Sequence, residues 1–80
     1  ETLMGALFER QFLRRGLDAR PELIQWLIPR IERSHITLMR VVDLLDEAVL
    51  ARRKRLSIPL ARATLTDAGV IAHPTDAEAR

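Results

Sequence analysis

The chain has 80 residues, 48% of them hydrophobic and 30% charged, and a net charge of +2 from 13 basic and 11 acidic side chains. These figures bound it to one small domain with a single core, and they exclude a low-complexity or largely disordered chain. Cysteine is absent, which excludes disulfides and thiolate zinc sites, and no apolar run approaches the roughly 18 residues of a membrane span.

The first predicted helix runs from about Thr2 to Arg15. Met4, Phe8 and Phe12 recur every four residues, with Leu3 and Leu7 beside them, and make one apolar face. Arg14 and Arg15 fall in the last turn, where cations favour the helix dipole. Gly16 fits a left-handed C-cap, with Leu17 placed to pack back on the helix. The second helix starts near Pro21, a residue tolerated in a first turn because its missing N–H has no helical partner anyway. Ile24, Leu27, Ile28 and Ile31 form its stripe, flanked by Leu23 and Trp26. Pro29 either kinks this helix or stops it near Ile28. The continued stripe at Ile31 favours a kink.

The third helix is expected from Ser34, as cap, to about Lys54. Leu38, Val41, Val42, Leu45, Ala48 and Val49 share one apolar arc. Arg40, Asp43 and Glu47 lie opposite, and Arg40 and Asp43 are spaced as an i, i+3 ion pair. Ile36 is the anomaly, an apolar residue projecting onto that polar face. The fourth helix follows Ser57 as N-cap, with Pro59 in its first turn. It carries Leu60, Ala61 and Leu65 and ends near Thr66. From Asp67 onward large apolar residues are few, Val70 and Ile71 excepted, and the last residues read as a frayed C-terminus. The expected organisation is therefore an all-α domain over 1–66 and a poorly ordered tail over 67–80. No strand pattern or internal repeat appears. The chain begins at Glu1, inside a predicted helix and without a signal-peptide pattern, so it reads as a fragment or processed chain of a cytoplasmic protein.

Chemistry-bearing patterns are few. Arg52-Arg53-Lys54-Arg55 is the densest charge. It reads either as a phosphate-contacting patch or as a solvated helix C-terminus, where cations meet the dipole and the last carbonyls. No aromatic lies near it to stack on bases. His35 and His73 have no metal-ligand spacing, so no metal site is expected. Asp43, Asp46 and Glu47 read as a solvated acidic face. Ser34-His35 is a cap and its neighbour, not a nucleophile with its base. A helix-turn-helix is weighed and set aside, because the third helix is too apolar to be a recognition helix and the fourth offers only Arg62 and Thr64.

Order and spacing carry one further reading. Arg30-Ile31-Glu32-Arg33-Ser34, then Leu38, Val41 and Leu45-Asp46, then Arg53-Lys54-Arg55-Leu56-Ser57-Ile58-Pro59-Leu60-Ala61-Arg62, resemble the C-terminal helical lid of DnaA-type AAA+ ATPases. Within that group the chain looks most like the DnaA-related Hda family, and the Leu-Ser-Ile-Pro element is the closest match. Gly16-Leu17 followed by Pro21 also fits the family's link between its first two helices. The resemblance covers about residues 2–66.

The resemblance implies a small four-helix AAA+ lid, without catalysis of its own, packed beside an ATPase core that carries the Walker motifs. It implies no cofactor held by the lid alone and ATP or ADP in a full-length parent. Proteins of this kind act with the DNA-polymerase sliding clamp to promote hydrolysis of ATP bound to DnaA, and so restrain replication initiation. DnaA itself continues into a DNA-binding domain after its lid. Only fifteen residues follow Leu65 here, which fits the regulator better than the initiator.

The family's third helix presents a sensor-2 arginine to the nucleotide phosphates. That position aligns with Ile36, which cannot pair with phosphate. Arg33 and Arg40, about a turn either side, are the conceivable substitutes. Two alternatives remain. One is a small helical DNA-binding module using Arg52, Arg53, Lys54 and Arg55, although direct DNA binding is not the expectation. The other is an unrelated interaction domain that presents Met39, Leu44 and Leu50.

Overall fold

The computed structural model describes residues 3–71. It holds four α-helices and no strand among the described residues: α1 (Leu3–Arg14), α2 (Pro21–Leu27), α3 (His35–Arg52) and α4 (Ile58–Asp67). The all-α fold class expected from the periodicity is the one observed. α3 is the central element, packed against both α1 and α4, while α2 packs against α1.

The expected stripes converge on one core. Phe8 and Phe12 of α1, Leu27 of α2, Leu38, Val41, Val42 and Leu45 of α3, and Ala61 and Leu65 of α4 are essentially inaccessible. Among the described residues no polar or charged residue is buried as a whole in that interior. Phe8 and Phe12 stack at 5.7 Å between ring centroids. Their i, i+4 spacing sets the two rings one turn apart on the same face.

Helix ends follow local chemistry. The Ser34 and Ser57 hydroxyls accept the N–H groups of Thr37 and Leu60, as the N-cap reading requires. Gly16 takes a φ of 71°, with its N–H bonded to the Leu13 carbonyl and the Leu17 N–H bonded to that of Phe12. This paired arrangement ends a helix in a left-handed residue, which glycine adopts without a Cβ clash. Gly69, at φ 77°, ends α4 the same way, with Val70 N–H on the Leu65 carbonyl.

Three expectations need correction. The second helix does not kink and continue at Pro29. It stops at Leu27 and passes through a 3-10 turn, Ile28–Arg30. The Trp26 carbonyl then accepts a 2.8 Å bond from the Arg30 guanidinium, which caps the end. Ile31 reaches the core by turning extended (φ −118°, ψ 160°), not by continuing the helix. The third helix ends at Arg52 instead of Lys54, because Arg53 goes left-handed. Asp43 pairs with Arg15 of the α1 end rather than with Arg40, and Asp46 joins the same guanidinium at 3.2 Å. Part of the acidic face expected to be merely solvated thus clasps α1 to α3.

Beyond Leu65, α4 continues to Asp67, and Val70 and Ile71 pack on the core. The frayed end expected over 72–80 lies outside the described residues.

Candidate functional site

The start of α3 is held rigidly. Ser34 Oγ accepts the Thr37 N–H and donates to Thr37 Oγ1 at 2.9 Å, and that hydroxyl donates in turn to Glu32 Oε1 at 3.2 Å. Every proton on these hydroxyls is therefore spent on the cap, which rules Ser34 out as a nucleophile in this arrangement. The network fixes the direction of the first helical turn. Ile36 sits on that turn with 81% of its surface exposed, although α3 buries four of its other apolar side chains completely. Arg33 precedes the cap and Arg40 lies one turn beyond Ile36. Both are exposed, and among the described residues neither side chain makes a hydrogen bond or ion pair. Arg40 borders a shallow hollow of about 360 Å³ with Glu32, Thr37 and the Ala68–Val70 turn.

A second cationic region forms at the opposite end of α3. Arg52 is the last helical residue, and Arg53 takes φ 52° and ψ 42°. Among the described residues it is the only non-glycine with a positive φ. Lys54 and Arg55 follow in the connection to α4. The fold brings Arg20, from the α1–α2 connection, to this side, so that Arg20, Arg53, Lys54 and Arg55 border one hollow of about 340 Å³. The meeting with Arg20 had no local signal in the sequence, because it depends on how α1 lies against α3.

The remaining sequence candidates sort by burial. Met39 and Leu44 are half-buried against the core, while Leu50 is 71% exposed. Trp26 is half-buried, with two guanidinium groups over its ring, Arg30 at 4.6 Å and Arg62 at 5.7 Å from the centroid. Both fall within cation–π range. Arg62 is thus drawn back onto α2, and the Thr64 hydroxyl is buried. α4 consequently offers no polar face to base edges, which removes the physical basis of a helix-turn-helix. Among the described residues no group of His, Asp and Glu could hold a metal ion, and His73 lies outside them. No described helix is long and apolar enough to cross a membrane. The arrangement is that of exposed charged and apolar side chains on a helical body with one apolar core.

A comparison with protein-family models identifies the body. The model described as "Hda, lid domain" matches residues 3–65, from the first residue of α1 to the buried Leu65 of α4. The chain belongs to the Hda lid family. Comparisons with curated proteins and with solved structures give no significant match. The match covers α1 to α3, most of α4 and both serine caps, and it includes Ile36 and the basic segment. Membership places this Hda lid in the DnaA-regulatory AAA+ family.

Proposed function

We propose that this Hda lid is the mobile cover of an AAA+ regulator that, with the sliding clamp, promotes hydrolysis of ATP bound to DnaA and so restrains initiation. On this reading the lid adds no catalytic group. It moves as one unit against its own ATPase core, closes one side of the ATP or ADP cleft, and offers surface to DnaA. The observation that carries the reading is the family match over residues 3–65. The single apolar core supports rigid-body movement, since no buried polar seam divides it.

Ile36 is the position proposed to face the nucleotide. An isoleucine left 81% exposed on an otherwise polar helix face is accounted for if the missing core covers that face. It supplies no charge to the phosphates, so this lid would cover nucleotide without gripping it, with Arg33 or Arg40 as the conceivable substitutes. In the full-length protein, Ile36→Arg is expected to tighten ATP and ADP binding several-fold by adding a charge-assisted contact. Equilibrium binding of a fluorescent nucleotide measures this. An unchanged affinity in a folded variant places Ile36 away from the cleft. The broader reading is tested by turnover of DnaA-bound ATP in the presence of DNA-loaded clamp. Hydrolysis no faster with the protein than without it would reject the reading.

The DNA-module alternative rests on Arg52, Arg53, Lys54 and Arg55, all exposed. The geometry of that end points elsewhere.

A further inference from the structure

The hollow between the α1–α2 connection and the end of α3 is built from two kinds of surface. Leu17, Val49 and Leu56, each half-buried, form an apolar floor. Arg20, Arg53, Lys54 and Arg55 stand exposed around it, and among the described residues none of their side chains has a hydrogen-bond or ion-pair partner. Asp18 is the one carboxylate on the rim.

Arg53 adds an independent observation. A helix that ends in a left-handed residue ordinarily uses glycine or asparagine, because a Cβ there crowds the following carbonyl oxygen. Among the described residues glycine stands at both other such positions, Gly16 and Gly69. Gly16 borders the same hollow. At Arg53 the chain accepts the strain and keeps a guanidinium on the rim. A strained residue retained at a surface groove motivates a functional assignment.

We propose that this groove docks an acidic peptide segment of a partner protein, one that carries an apolar side chain among its carboxylates. The four free cations meet the carboxylates and the floor takes the apolar side chain. Asp18 accepts a backbone N–H of the peptide. The Asp18 carboxylate favours this partner over DNA, because a peptide backbone has an N–H to donate to it and a phosphate backbone has none. An apolar floor is equally idle against phosphate, and no aromatic lines the groove to stack on a base. Arg53 lies about 25 Å along α3 from Ile36. The groove is therefore at the far end of the lid from the face assigned to the nucleotide. That separation uses the function proposed above, whereas the docking chemistry does not.

The test uses the full-length protein and a short fluorescein-labelled peptide of glutamate, aspartate and leucine, read by anisotropy. The expected result is saturable binding that weakens as salt rises. Replacing the peptide's leucines by serine, or its acids by amides, abolishes it. Arg53→Gly retains the turn geometry and removes one charge, and lowers affinity roughly threefold, the range for one partly exposed ion pair. R53G/K54A/R55A lowers it more than about tenfold. Circular dichroism confirms that both variants remain helical. Equal binding of the serine peptide, unchanged affinity in the folded triple variant, or displacement of the peptide by duplex DNA of matched charge overturns the proposal. None of these outcomes bears on the DnaA-ATP turnover assay, so the two readings fail separately.

Discussion

Thr64 and Thr66 place their hydroxyls where water does not reach, and in each case the oxygen has no hydrogen-bond partner. A threonine in a helix often returns its hydroxyl to the carbonyl one turn back, but neither residue does so here. A buried hydroxyl without a partner costs about 1–3 kcal/mol, whereas an isosteric apolar group costs nothing of the kind. Thr64→Val is therefore expected to raise stability by about 1 kcal/mol. Thermal unfolding followed by circular dichroism checks the sign, and a lower melting temperature shows that the hydroxyl has a partner after all. The same logic of shape against polarity applies in reverse at Ile36. Its projection onto the polar face follows from 3.6-residue periodicity alone, and the structure leaves it exposed. The role of the residue, by contrast, is set by what packs opposite it and not by helical periodicity.

At the scale of elements, the termini were more legible than the connections. Ser34 and Ser57 announce helix starts because a short hydroxyl side chain reaches the N–H three residues on, and both bonds form, at 3.1 and 3.3 Å. Gly16 with Leu17 announces a stop for an equally local reason. Gly69 with Val70 carries the same signal, though the low apolar content after Leu65 obscured it. Pro29 was ambiguous because kink and stop cost the same local hydrogen bond. The decision rests on tertiary packing, since Ile31 enters the core only from extended backbone. Arg53 was hidden for a related reason, as nothing in a run of basic residues marks a left-handed turn. The Arg15 clasp on Asp43 and Asp46 and the gathering of Arg20 toward Arg53 both require the fold itself. The caps make their own prediction. Ser57→Ala leaves the Leu60 N–H without its partner and should cost about 1 kcal/mol. Its effect belongs in the denaturation midpoint at an unchanged denaturant slope, and a midpoint within error of the parent shows that Pro59 and the packing of Leu60 suffice to start α4.

At the scale of the whole molecule, two kinds of tie join α1 to α3, and their magnitudes differ widely. The Arg15 clasp is a partly exposed ion pair, with about a third of the guanidinium side chain open to solvent. Such pairs contribute about 0.2–1 kcal/mol once side-chain ordering and screening are counted. Phe12 is 1% exposed and stacks on Phe8 within the shared core. Truncating a buried phenylalanine costs about 3–5 kcal/mol, because the cavity adds to the lost transfer energy. For a domain of this size total stability is about 4–12 kcal/mol, so the first loss is a perturbation and the second consumes much of the fold. Arg15→Ala is expected to lower the melting temperature by no more than a few degrees, with the helical signal intact at room temperature. Phe12→Ala is expected to lose its cooperative transition or bring it close to ambient temperature. If the two variants melt together, the clasp rather than the aromatic core holds α1 in place, and the rigid-body behaviour proposed for the lid would then become salt-dependent.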